Sequence, residues 1–188
     1  MKIAVDIDGV CGDAVERLRI YAREHYGINV DHSHVTEYDS LLPGGKVNIG
    51  TLFDEAFADN AVLLSIPVIP NARMAIEKLV RQGNNVTMVT SRKPHTKAAT
   101  LAWVAHNLGN VPVLLSSRKH EHGFDLLIDD RLKFVTKFTA ENDRYAILFH
   151  QPWNDGAELP PRTFVADDWL EVLDRVAWLA EHRPNGGA

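Results

Sequence analysis

Apolar and polar positions follow two different periods along the chain, and the points where the period changes divide it into elements. Residues 2–7 form a short β-branched apolar run closed by Gly9, the pattern of a strand buried on both faces. From Asp13 onward Val15, Leu18, Ala22 and Tyr26 recur at helical spacing until Gly27, a residue suited to the left-handed end of a helix. Between residues 29 and 64 the pattern is ragged. There "LLPGG" predicts a turn and "TLFDEAFADNAVLL" a short helix, which together read as an insertion packed over something else. Regular order returns after "PVIP", where Asn71 is placed to cap a helix with Ala72, Ala75, Ile76, Leu79 and Val80 on one face and Gly83 at its end.

Residues 85–89 read as a second strand, with Thr90 and Ser91 at its exit. A helix follows, with Pro94 near its start, Ala98, Leu101, Ala102, Ala105 and Leu108 on one face, and Gly109 after it. "VPVLL", "FDLLIDD" and "YAILF" are three more strand-like runs. The last helix spans about 168–182, capped by Asp167 or Asp168, with Trp169, Val172, Leu173, Val176 and Ala180 inward; "RPNGGA" reads as a loose tail. Strands that alternate with helices predict an α/β fold: a mostly parallel sheet with helices on both faces.

Composition narrows the function classes. A chain of 188 residues, 45% apolar, suits one domain, or one domain carrying a sizeable insertion. The net charge of −5, with Lys and Arg scattered, argues against a long nucleic acid or a membrane surface as partner. Cys11 is the single cysteine, which excludes an internal disulfide, and no charged and apolar leader precedes the first strand; both predict a cytoplasmic protein. No apolar run approaches the roughly 20 residues of a membrane-spanning helix.

All strands of a parallel sheet end at the same edge, where ligands bind in open α/β folds. At that edge stand Asp6 and Asp8, then Thr90 and Ser91, then residues 116–119 with Lys119, then Asp129 and Asp130. Any one aspartate there is equally well read as a helix cap or turn former. Four coincident strand ends point further. Two carboxylates about 4 Å apart repel by ~4 kcal/mol at an effective dielectric of about 20, so the cluster needs a cation or must take up protons. Magnesium, which binds one or two carboxylates together with phosphate oxygens, answers that need. One aspartate of the pair is then suited to be nucleophile and metal ligand, while the other gives a proton to the leaving oxygen and later takes one from water. The Thr90 hydroxyl, backbone amides near Ser91, and Lys119 would hold the phosphoryl oxygens, and Gly9 lets the backbone approach them closely.

"DIDGV" after a strand, "VTS" after a second, an isolated lysine, and an apolar run ending in "IDD" resemble the four signature motifs of the haloacid dehalogenase superfamily of phosphotransferases, in the same order from Asp6 to Asp130. Within it the chain is most similar to the 5′(3′)-deoxyribonucleotidases and their bacterial and phage relatives. They share "DxDGV", an acidic residue matched by Asp13, the "TS" pair, and a lysine ten positions before "DD", the interval kept here by Lys119 and Asp129. "DLLIDDR" at 125–131 is unbroken, and "ILFHQPWN" resembles the strand and loop that come next in those relatives. The resemblance implies Asp6 as a transiently phosphorylated nucleophile and Asp8 as the general acid/base. It implies Mg²⁺ on Asp6, the Asp8 backbone carbonyl and Asp129, with Asp130 supporting that shell and Thr90 and Lys119 on phosphate. It also implies a Rossmann-like core at 1–12 and 65–188, with residues 13–64 as a small helical cap.

The expected activity is therefore Mg²⁺-dependent hydrolysis of a small phosphorylated substrate, a nucleoside monophosphate such as a 5′- or 3′-deoxyribonucleotide; homo-oligomerisation stays open. Cys11 replaces an aliphatic residue of the family pattern, and Ala14 stands where an aromatic contributes to the base pocket of characterised nucleotidases. A pyrimidine preference is thus not implied, and Phe53, Phe57 or Tyr38 are left as stacking candidates, although the two Phe residues are also spaced for core packing. Cys11 reads as a small buried hydrophobe, and His32, His34, His120 and His122 as exposed rather than zinc-binding. Arg92 and Arg131 suit either a phosphate or cap contact or surface ion pairs, and Trp153 with Asn154 either an anchored turn or a substrate contact. One alternative keeps the chemistry but takes a sugar phosphate or the phosphorylated end of an oligonucleotide. Another is a receiver-like phospho-accepting module, whose acidic pair comes early and whose accepting aspartate lies on a later strand, the reverse of the order here.

Overall fold

A computed structural model of the chain describes residues 1–31, 35, 40–42, 45, 47–140 and 144–182; His32, His34, Tyr38 and the tail fall outside them. Six strands, β1 (Lys2–Val5), β2 (Asn85–Thr90), β3 (Val113–Leu115), β4 (Leu126–Asp129), β5 (Tyr145–Phe149) and β6 (Thr163–Ala166), form one parallel sheet in the order β3-β2-β1-β4-β5-β6. The chain lays strands outward from β1 to β3, then crosses to the other side of β1 for the rest. The direction of winding therefore reverses between β1 and β4, which opens a crevice beyond their C-terminal ends.

Residues on β1 alternate between the two faces, as the period of two requires. Ile3 and Val5 join Ile76, Leu79, Trp103, Trp169 and Leu179 in the core on one side, and Ala4 joins Val89, Leu127, Val135, Phe138 and Leu148 on the other. Covering these faces are α4 (Ala72–Arg81), α5 (Lys97–Asn107), α6 (Leu132–Thr139) and α7 (Trp169–His182). Between β1 and α4 come α1 (Ala14–Tyr26), α2 (Ile49–Ala56) and α3 (Asn60–Leu64). Val15, Leu18, Ala22, Leu52, Ala56 and Val62 of these helices form a separate apolar cluster.

Two helix ends follow the expected chemistry and one does not: Asn71 stands before α4 at φ +65° and makes no side-chain hydrogen bond to its first turn. Gly27 ends α1 at φ +66°, its N–H directed to the carbonyls of Ala22 and Arg23. Asp168 caps α7 by accepting from the amides of Leu170 and Glu171 at 2.7 and 2.9 Å. The single helix expected over 51–64 is two helices, because Asp59 takes an extended conformation and accepts from the Ala61 amide at 2.8 Å, starting a new helix.

Several faces differ from the periodic reading. Helix α5 buries Ala99, Thr100, Trp103, Val104 and Leu108, and turns Ala98, Leu101, Ala102 and Ala105 outward. In so alanine-rich a helix the apolar contrast is weak, so orientation falls to Trp103, whose ring is fully buried and whose indole N–H donates to the Ile66 carbonyl at 2.9 Å. Val80 and Ala180 also face outward, and Leu179 is buried instead. Strand β6 and helix α6 do not stand out in the sequence: β6 is an edge strand with three of its four residues half-buried, and α6 carries Val135, Thr136 and Thr139, which have little helix preference.

The orientation of α5 makes a direct prediction. Trp103→Ala should lower stability by ~3–5 kcal/mol, whereas Leu101→Ala, on the exposed side, should change it by less than ~1 kcal/mol. Urea denaturation monitored by circular dichroism measures both; equal losses would contradict the observed face.

Candidate active site

The first strand hands its register directly to the site. Asp6 still donates its backbone N–H to the Ile128 carbonyl at 2.9 Å, so it leaves β1 alongside the end of β4. The chain then folds back tightly, with the amides of Cys11 and Gly12 on the Ile7 carbonyl at 2.9 and 2.8 Å. Gly9 sits in this turn at φ +80°, and a Cβ there would lie 2.5 Å from Asp130 Oδ2. Both conditions select glycine.

At the crevice Asp6, Asp129, Asp130 and Lys119 are all buried. Lys119 Nζ donates to Asp129 Oδ2 at 2.6 Å and pairs with Asp6 Oδ1 at 2.9 Å. Asp129 Oδ1 accepts from the Arg131 amide at 2.9 Å, and Asp130 Oδ2 from the Trp153 indole at 3.0 Å. Among the described residues Asp130 Oδ1 has no hydrogen-bond donor, and Asp6 Oδ1 has the Lys119 ammonium alone beside it. Among the described residues, oxygens of Asp6, Asp129 and Asp130 form one group lying within 4.8 Å of one another.

Burial pushes the Asp6 carboxyl up to about 6; Lys119 opposes this, while Asp129 and Asp8 add to it. Asp130 is pushed well above the carboxylate range by burial, then by Asp129 and Asp6. Burial alone would lower Lys119, but the carboxylates of Asp129 and Asp6 hold it above the ordinary lysine range. Burial and mutual repulsion drive these carboxylates to take up protons where no cation balances them, and Lys119 alone does not offset all three. An all-oxygen donor set of this kind fits a hard divalent cation.

Asp8 points elsewhere. Both of its oxygens accept from Arg92, from Nε at 2.8 Å and from Nη2 at 2.6 Å, in a bidentate pair whose arginine side chain is 3% exposed. The two aspartates of "DIDGV" thus face different cations, Lys119 and Arg92, and the Asp8 side chain is not among the clustered oxygens.

A cavity of about 780 Å³ opens over the site, large enough for a substrate well beyond a phosphate group. Asp6, Asp8, Gly9 and Ser91 line it from the sheet side, and Val15, Ile49, Phe53 and Phe57 from α1 and α2. Thr90 ends β2, buried, its Oγ1 accepting from the Arg92 amide at 3.2 Å, and Lys119 is buried next to Asp6. Phe53 and Phe57 meet edge to face, with centroids 4.9 Å apart. They pack on the α1–α3 cluster and line the cavity, so core packing and cavity surface are one arrangement.

The other candidate residues take varied places. Asp13 caps α1, accepting from the Glu16 amide at 2.9 Å. Cys11 is buried in the core, and burial, then Asp6 and Asp8, pushes its thiol up. His122 Nε2 lies 2.8 Å from Ser116 Oγ, and His120 Nε2 3.8 Å from Glu121 Oε1. Arg131 lines the cavity. Trp153 and Asn154 do more than anchor a turn: Asn154 Nδ2 donates to the carbonyls of Asp130 and Phe149, both at 2.8 Å, and Gln151 Nε2 to the Gly9 carbonyl at 2.8 Å. The loop after β5 therefore brackets the turns carrying Asp8 and Asp130. Sequence reasoning missed that bracket and the Asp8–Arg92 pair; for the pair, the signal was an arginine directly after "TS".

Comparison with known proteins gives the chain a family. The family described as "5' nucleotidase, deoxy (Pyrimidine), cytosolic type C protein" matches residues 1–181. A curated relative from Chlorobaculum tepidum, described as "Putative 5'(3')-deoxyribonucleotidase", is 25% identical over 184 residues, covering 93% of this chain and 89% of its own. A phosphonoacetaldehyde hydrolase-like protein from Oleispira antarctica shares the fold with a TM-score of 0.63 at 15% identity, over 99% of this chain and 94% of its own. So does a HAD family hydrolase from Deinococcus radiodurans, with a TM-score of 0.61 at 14% identity, over 99% and 98%. With a nucleotidase family model spanning nearly its whole length, and carboxylates at the switch point of its sheet, this chain belongs to the family of deoxy (pyrimidine) 5′-nucleotidases, cytosolic type C.

Proposed function

We propose that the chain hydrolyses nucleoside monophosphates, 5′- or 3′-deoxyribonucleotides foremost, to nucleoside and phosphate through an aspartyl-phosphate on Asp6. The observation that carries this reading is the pairing of Asp6, beside Lys119, with Asp8 two residues on, both lining a cavity sized for a mononucleotide. Asp6 attacks phosphorus and the bond to the leaving oxygen breaks, with Asp8 supplying the proton that oxygen takes up. Water then attacks the acyl phosphate, Asp8 takes its proton, and phosphate leaves with the Asp6 carboxylate restored. Lys119, the Thr90 hydroxyl, Ser91 and the backbone at Gly9 hold phosphoryl oxygens. Asp6, Asp129 and the Asp8 carbonyl would hold Mg²⁺, with Asp130 supporting them. When bound, the cation neutralises charge on the phosphoryl oxygens.

Residues 13–64 act as the cap in this reading, excluding water and meeting the leaving group. The Phe53 and Phe57 rings offer a nucleobase an apolar surface that a sugar phosphate would leave uncovered, which favours the nucleotide. A receiver-like role is disfavoured by Asp8, whose place at the cavity suits turnover rather than a lasting phosphoryl group.

Two outcomes are expected. Asp6→Asn should lower phosphate release from a panel of 5′- and 3′-nucleoside monophosphates by ~10⁴-fold or more; turnover surviving the change would remove the nucleophile. The second concerns pH. Because the folded-state value of Asp6, about 6, exceeds its ordinary 3.8, the folded protein holds an extra proton between the two. Its contribution to cation-free stability is full below the lower value and lost as pH rises through the upper, and Asp130 acts in the same direction. Mg²⁺ needs the deprotonated carboxylates, so it should raise the unfolding temperature little near about pH 5 and more near about pH 8. Asp129→Asn should abolish that increment; a pH-independent increment would contradict the assignment.

A further inference from the structure

Arg92 stands apart from the residues that meet phosphate. Its Nε and Nη2 are both engaged by Asp8, and its Nη1 lies 3.3 Å from Thr100 Oγ1 on α5, so each guanidinium nitrogen already has a protein partner. The guanidinium carbon lies 6.0 Å from the Trp103 ring centroid and 5.8 Å from that of Phe57. Its own amide is tied to Thr90 Oγ1 at 3.2 Å. The arginine is thus held by α5, by the end of β2 and by the residue that ends α2, and presents a rigid planar fork to one carboxylate.

A bidentate fork does what a point charge does not: it fixes the plane of the carboxylate as well as its position. Asp8 sits on a tight loop with its side chain 21% exposed at the cavity, where several rotamers would otherwise be open to it. Each Asp8 oxygen accepts one N–H from the fork and keeps a second acceptor site. Acid/base work requires one of those oxygens within hydrogen-bond reach of the leaving oxygen, and a displacement of about 1 Å can cost ~10²-fold in rate.

We infer that Arg92 is the positioning residue of the acid/base Asp8, setting the direction from which the proton reaches the leaving oxygen. The inference rests on the proposed nucleotidase function but fails separately from it. Its signature is selectivity for the leaving group: an alkoxide needs the proton, whereas 4-nitrophenolate departs without one. An arginine that bound phosphate, or only stabilised the fold, would affect both esters alike.

The test uses the full chain with Mg²⁺, as wild type, Arg92→Lys and Arg92→Met, and compares kcat/KM for the best mononucleotide with that for 4-nitrophenyl phosphate. Arg92→Lys keeps the charge without the fork and should lower the nucleotide value by ~10²-fold, at least ~10-fold more than the aryl value, with KM for the nucleotide near wild type. Arg92→Met should show the same selectivity, more strongly. Equal losses on the two esters, a loss confined to KM, or no loss would overturn the inference. Should Arg92→Met not fold, the lysine variant decides, its folding checked by circular dichroism. A wild type inactive on nucleotides would refute the functional reading instead, and the same ratio would then be read on whichever alkyl phosphate is turned over.

Discussion

Three buried carboxylates sharing one buried ammonium is the constraint around which this molecule is arranged. Asp6, Asp129 and Asp130 lie within a few ångströms of one another, with Lys119 bonded to Asp129 and beside Asp6. Such a group is costly in a protein interior, because burial and mutual repulsion both oppose ionisation. The parallel sheet nevertheless forces the assembly: β1 and β4 are neighbours in register, so the residues leaving one strand must stand next to those leaving the other. The cluster stands at the point where the fold opens a crevice to solvent, and there a divalent cation would take the place of the protons that burial favours.

The loop from Ile7 to Gly12 turns this constraint into a division of labour. A tight turn with Gly9 at positive φ sends the two carboxylates in different directions, Asp6 to Lys119 and Asp8 to Arg92. Opposite partners keep the two from competing for one cation. The turn is held from several sides: Gln151 on the Gly9 carbonyl, and the Trp169 indole on the Val10 carbonyl at 2.8 Å. Trp153 and Asn154 do the same for Asp130. Rigid support of this kind suits chemistry that depends on the placement of oxygens.

Much of this was legible in the sequence, and the reasons are physical. Strands β1, β2, β4 and β5 carry apolar runs bounded by polar or glycine residues, and the order of their C-terminal ends places Asp6, Thr90, Lys119 and Asp129 at one edge. The face of α5 was not legible, because three alanines and a leucine compete with one tryptophan, and the tryptophan wins through area and a hydrogen bond. Strand β6 lies at the sheet edge with three of its four residues half-buried, so it lacks the continuous buried run of β4. The Asp8–Arg92 pair spans 84 residues and the Gln151–Gly9 contact 142, so the arginine after "TS" marks a position without naming its partner, and the glutamine leaves no local trace.

The central claim, that the buried carboxylates and Lys119 form one cation and phosphoryl site centred on Asp6, is tested most directly by a crystal structure grown with Mg²⁺ and beryllofluoride. The account predicts beryllofluoride on an Asp6 oxygen, in contact with Lys119, and an ion bridging Asp6 and Asp129. Beryllofluoride on another residue, or an ion seated away from these carboxylates, would contradict it.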